Sequence, residues 1–139
     1  MERFCDRIAA EVLFPKRGFL SRCDRQPDPQ LVYDLAKTFN ASISATAIRL
    51  TELTRASAFE VSGKRIPWLA GDLRGATSER VLVAAREALT AHRGEKSGES
   101  IAYVPNTEPV GEWSMKWQRM GESSRFLFIA YPLSRVSAA

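Results

Sequence analysis

Up to about Thr54 the apolar residues recur every third or fourth position, the helical period; beyond Arg55 much of the chain alternates instead. Phe4, Ile8 and Val12 stand four apart, with Cys5, Ala9 and Leu13 on the same broad face. Arg3, Asp6, Arg7 and Glu11 lie mostly off that stripe, so the spacing predicts an amphipathic first helix. Pro15 should end it, because proline lacks a donor and pushes its predecessor away from helical angles. Lys16-Arg17-Gly18 then reads as a turn, Phe19-Leu20 as a short apolar step, and Ser21 to Gln26 as a polar loop. Asp28-Pro29 opens a second helix: Asp28 can cap free N–H groups and Pro29 suits the first helical position. Leu31, Val32, Leu35, Ala36 and Phe39 form its buried stripe. Asn40-Ala41 breaks the helix, and Ser42 caps a third from Ile43 to about Thr54, with Ile43, Ala47, Leu50 and Leu53 or Thr54 at helical spacing.

The second half reads as strands around one helix. Ala58 to Ser62 alternates, Gly63-Lys64 supplies a turn, and Arg65 to Leu69 alternates again, which predicts a hairpin whose second strand Pro67 keeps short or at an edge. Gly71 to Ala76 is expected as loop. Thr77-Ser78 caps a helix to about His92, with Val81, Ala85, Ala88 and Leu89 on its apolar face. His92 and Arg93 sit at its C-terminus, where positive charge is favoured. Gly94 to Ser100 is expected as a flexible connection, Ile101 to Val104 as a short strand, and Pro105 to Pro109 as loop. Glu112 to Gln118 gives the clearest alternation: Trp113, Met115 and Trp117 on one face, Glu112, Ser114, Lys116 and Gln118 on the other. Arg125 to Tyr131 is apolar on both faces and should be a central strand, ended by Pro132.

The first helix carries more than a periodicity. Its letters, Glu2-Arg3-x-Cys5-Asp6-Arg7-Ile8-Ala9-Ala10-Glu11-x-Leu13-x-Pro15, closely resemble a signature of the ImmA/IrrE family of zinc metallopeptidases, E-x-x-[AC]-[ND]-x-F-A-A-E-L-L-M-P. The segment Leu35-Ala-Lys-Thr-Phe-Asn-Ala-Ser42 also resembles the LAK-x-F-x-V-S pattern that follows this helix in the family. The resemblance implies that Glu2 stands where the third zinc ligand belongs, downstream of an H-E-x-x-H helix. These 139 residues hold one histidine, His92, and no H-E-x-x-H. Such a helix supplies two ligands from one face and a glutamate as general base. Without them Glu2 is an orphan ligand, and no catalytic residue or bound cofactor is expected in this chain; zinc would need the missing helix. The chain resembles the non-catalytic C-terminal part of such an enzyme, as a fragment or a reduced family member. The family's role is to cleave repressor-type proteins in transcriptional control of stress responses or mobile-element transfer, so the implied partner of the parent enzyme is a repressor.

The fold class expected is α+β, in two units. Residues 1–56 form the helical part of the metallopeptidase-like domain. Residues 57–139 form a small antiparallel sheet with one helix, whose element order resembles sensor domains of the GAF and PAS type. Some IrrE-like proteins carry a GAF-like domain in that position, which implies a sensor or docking role. Trp113, Met115 and Trp117 read first as core beneath the helix; the alternative is the lining of a ligand pocket.

Composition narrows the function classes. A hydrophobic content of 45% suits a folded chain. No apolar run approaches the roughly 18 residues of a membrane span, and charges at Glu2, Arg3, Asp6 and Arg7 do not fit a signal peptide. Two cysteines, Cys5 and Cys23, are too few for a disulfide scaffold, so a cytoplasmic location is expected. Net charge is +4 but the basic residues are scattered, densest at Lys16-Arg17, Arg22 and Arg25. A nucleic-acid footprint gathers them on one face. The two short helices joined at Phe39 to Ser42 nevertheless read as a helix-turn-helix-like pair. A stand-alone regulator is therefore the alternative function, binding DNA through Ser44, Thr46 and Arg49 and a small molecule through the sheet. Packing of the pair is the simpler reading, because Arg49 is the one cation on the third helix. Homo-oligomerisation is open.

Overall fold

In the computed structural model, residues 13–23, 26–75, 78–104, 111–121 and 123–133 are described. Among them, helices α1 (Lys16–Leu20), α2 (Pro29–Phe39) and α3 (Ile43–Leu53) precede strands β1 (Ser57–Ser62) and β2 (Leu69–Ala70). A 3₁₀ turn at Asp72–Gly75, helix α4 (Ser78–Ala91) and strands β3 (Ser97–Val104), β4 (Gly111–Arg119) and β5 (Arg125–Pro132) follow. The strands make one antiparallel sheet in the order β2-β1-β5-β4-β3. The fold is α+β, and no helix among the described residues is long and apolar enough to cross a membrane.

Local chemistry accounts for the helix boundaries. The Asp28 carboxylate accepts the Leu31 N–H at 2.8 Å, with Pro29 in the first turn. Asn40 ends α2 in the left-handed region (φ 52°), a conformation asparagine tolerates better than most residues. Two residues later the Ser42 hydroxyl accepts the Ala45 N–H at 3.1 Å and starts α3.

Helices pack on both faces of the sheet. Alternate residues of each strand serve opposite layers. Phe59, Val61, Trp113, Met115, Trp117, Phe128 and Ala130 pack beneath α4 against Val81, Ala85 and Ala88. On the other face Ala58, Leu127 and Ile129 meet Leu31, Val32 and Leu35 of α2 and Ala47 and Leu50 of α3. The helix pair thus lies on the sheet, and the segments before and after residue 56 share an apolar layer. β5 is the middle strand, as its two apolar faces imply.

Several expectations are corrected. Lys16 to Leu20 is a short helix rather than a turn and a step; the Pro15 carbonyl accepts the Phe19 N–H at 2.8 Å and begins it. Phe19 is fully buried, edge-on to Phe14 at 5.6 Å. The hairpin's second arm is reduced to Leu69–Ala70 plus one bridge between Ser62 and Arg65. The segment after Gly71 is a 3₁₀ turn, with Leu73 buried and its N–H donated to the Ser57 hydroxyl. Strand β3 begins at Ser97, inside the stretch expected to be a flexible connection. Its inward positions Gly98, Ser100 and Ala102 stand opposite Trp117, Met115 and Trp113, with buried Val104 at the strand's end, so the largest residues come from the partner strand. A Cβ at Gly98 would stand 2.8 Å and 2.9 Å from Cη2 and Cε2 of Trp117, so glycine is required at that close approach. The segment expected as the first helix lies outside the described residues up to residue 12, and with it Glu2; so do Thr77 and the segment 105–109 expected as loop.

Candidate functional site

A concave surface of about 650 Å³ opens where the N-terminus of α3 meets the β1–β5 end of the sheet. Its floor is Glu60. Glu60 alternates with Phe59 and Val61 along β1 and so points to the helix-pair face, where it is 4% exposed. A buried carboxylate is costly unless its oxygens are paired. Here both are. Oε1 accepts the indole N–H of Trp68 at 3.1 Å, and Oε2 accepts Nε–H of Arg125 in an ion pair.

Register brings these groups together. Glu60 lies opposite Leu127 and Ser62 opposite Arg125, so Arg125 reaches Glu60 diagonally across the β1–β5 pair. Trp68 precedes β2, its carbonyl accepting the Glu60 N–H at 3.4 Å. Ser62 also bridges to Arg65 through Ser62 N–H to Arg65 O (2.9 Å) and Arg65 N–H to Ser62 O (3.2 Å). Arg65, Ser62 and Arg125 therefore form one cross-strand row on one face. Ser42, Ile43 and Ser44 of the α3 N-terminus and Met120 complete the rim.

The electrostatics hold the carboxylate ionised. The hydrogen bond from Arg125 lowers the Glu60 pKa; burial opposes this, and the Trp68 N–H and the Arg125 charge add to the lowering. The effect reaches α2: burial raises the Tyr33 pKa, the Arg125 charge lowers it and the Glu60 charge raises it. The site joins the helix layer to the sheet and offers fixed charge, donors and an aromatic wall.

Of the residues singled out from sequence, Ser44 lines this surface. Thr46 is fully buried, its hydroxyl donating to the Ser42 carbonyl at 2.7 Å. Arg49 is 8% exposed, its Nε–H donating to the Phe14 carbonyl at 3.1 Å and Nη1 pairing with Glu52 at 3.1 Å. Neither presents a side chain to a DNA groove. Trp113, Met115 and Trp117 are at most 1% exposed and lie in the layer beneath α4. Among the described residues no three His, Cys, Asp or Glu side chains are gathered to hold a metal.

Glu60, Trp68 and Arg125 were not singled out by sequence reasoning. One signal was present: a lone carboxylate inside the otherwise apolar run Ala58 to Val61. Fold and site together define a small α+β protein with an antiparallel sheet covered on both faces and a charged cleft at one end. Comparison with protein-family models, with curated proteins and with solved structures gives no match to this chain.

Proposed function

We propose that this chain is a sensor unit, the non-catalytic part of a protein related to the ImmA/IrrE metallopeptidases, with the Glu60–Arg125 cleft as its sensing site. The observation that carries the sensor reading is the buried Glu60 carboxylate, held between Trp68 and Arg125 on the floor of an open surface. The GAF/PAS-like assignment is supported by the element order and by an antiparallel sheet whose last strand lies in the middle. The family assignment rests on the letters from Glu2 to Pro15 and on the helix pair that follows. In this reading the regulated process is repressor cleavage, and α2 and α3 carry the ligand's effect because the cleft touches α3.

The sensor reading is tested by thermal melts of the chain against a metabolite panel. Saturable stabilisation by one member, reduced in Trp68→Ala, is the expected result. A melting temperature unmoved by every member contradicts it. The family reading is tested separately, by searching the DNA upstream of Met1 for an in-frame H-E-x-x-H.

A further inference from the structure

We propose that the cleft takes a small molecule bearing one carboxylate or phosphate-ester group on a flat apolar body, with Arg65 and Arg125 gripping the anion. The inference rests on the sensor reading and adds the chemical class of the ligand.

Charge is the first argument. Two guanidinium groups flank Ser62 in one cross-strand row, against the single carboxylate of Glu60. Glu60 is already engaged, one oxygen with Trp68 and the other with Arg125. Directly opposed residues sit about 5 Å apart at Cβ, so Arg65 and Arg125 are separated by about twice that distance across Ser62. That spacing lets one anion bridge them. The two like charges lie on either side of β1, and an anion seated between them is attracted by both.

Geometry is the second. Arg125 meets Glu60 through Nε, which fixes the plane of the guanidinium while its side chain remains 51% exposed. Arginine carries five N–H donors in a rigid fork, so the Nη side is oriented for an incoming oxyanion. The positive end of the 11-residue helix α3 lies on the same rim and adds to the field.

The apolar part follows from Trp68. Its indole N–H is tied to Glu60, so the ring cannot turn freely and forms a fixed wall beside Met120. The volume, about 650 Å³, lies within the usual range for small-molecule sites.

Trp68 also reports binding. It is half-buried and lines the cleft, whereas Trp113 and Trp117 are sealed beneath α4. The experiment titrates the whole chain with AMP and with benzoate, each beside its uncharged counterpart, adenosine and benzamide, and reads tryptophan fluorescence and the melting temperature. The expected result is a saturable response to at least one anion and at least about tenfold weaker binding of its counterpart, as loss of charge-assisted hydrogen bonds implies. A response to AMP alone assigns a phosphate ester; a response to benzoate alone assigns a carboxylate. Arg65→Gln leaves the Glu60 pair intact and should weaken binding by about tenfold, and Arg125→Gln by at least as much. Trp68→Phe should abolish the fluorescence change while thermal stabilisation by the same probe remains. Equal binding of charged and uncharged partners, no response to either anion at millimolar concentration, or affinity unmoved in Arg65→Gln overturns the assignment. The sensor reading survives those failures if another metabolite still stabilises the protein through Trp68, and falls with them if none does.

Discussion

The two faces of the sheet are built from the same five strands and behave differently. Beneath α4 the layer is aromatic and closed. Phe59 stacks on Phe128 with ring centres 4.9 Å apart, Trp117 packs against Phe126 and Phe128, and Ala85 and Ala88 let the helix approach. Among the described residues the indole N–H of Trp117 is buried there without a hydrogen-bond partner, the price of filling the layer with rings. The opposite face starts apolar at Ala58, Leu127 and Ile129 and turns polar toward Glu60, Ser62 and Arg125. Two 11-residue helices cover the first part and leave the second open at the α3 N-terminus. A face closed by one 14-residue helix supplies stability. A face covered by two short helices supplies a charged edge, and recognition is built there.

The contrast breaks most easily at Trp117. Truncating a buried tryptophan costs about 3–5 kcal/mol in lost burial and residual cavity, against a domain stability of about 5–15 kcal/mol. Trp117→Ala should therefore lower the melting temperature severely or unfold the protein. An unshifted melt would mean that the α4 face is not a sealed core.

Gly98 sharpens the same point from the neighbouring strand. Gly98→Ala places a methyl group against the six-membered ring of Trp117 and should cost about 1–3 kcal/mol by overpacking, read from the denaturant midpoint. Pairing it with Trp117→Phe should recover part of that loss, because the smaller ring vacates the clash. Strict additivity of the two changes would place the strain elsewhere.

On the helix-pair face, Arg49 acts as a structural cation. Arg49→Met leaves the buried Phe14 carbonyl without the Nε donor and should destabilise by about 1–3 kcal/mol. A variant that melts with the wild type while losing a tight, sequence-specific DNA complex would restore the DNA reading to this helix.

The smallest effect is on acid stability. Glu60 has a lowered pKa in the folded state, set first by the Arg125 hydrogen bond. Its contribution is present above the unfolded glutamate value of about 4.3 and fades as pH falls through the folded value. The pair involves an exposed arginine, so the contribution is expected to be small. Glu60→Gln should flatten that part of the acid limb in melts taken across the carboxylate range. Unchanged acid sensitivity would show that the pair contributes nothing measurable to folding.

Much of the architecture is legible in the pattern of the chain. Asp28-Pro29 and Ser42 marked helix starts because capping is a local event between residues three apart. The alternation from Glu112 to Gln118 marked β4 because one of its faces is buried and the other mostly polar. β3 was less legible. Apart from Val104 its inward residues are small, and its outward Ile101 and Tyr103 are 60% and 62% exposed, so the hydrophobic pattern points to the wrong face. The Lys16 to Leu20 helix was missed because Gly18 in a basic run reads as a turn.

Sequence spacing by itself determined α2, α3, α4 and β4, which strand is central and that Trp113, Met115 and Trp117 share one face, since these depend on periods of two or about 3.6 residues. Tertiary structure alone decided that the helix pair covers the second face of the sheet. It alone decided that Thr46 and Arg49 turn inward. It also placed Glu60 beside Arg125, 65 positions away. Their meeting depends on the register between β1 and β5, and a slip of one residue would send Glu60 or Arg125 to the opposite face. Register is fixed by the packing of both layers at once, so no local stretch of the chain contains it.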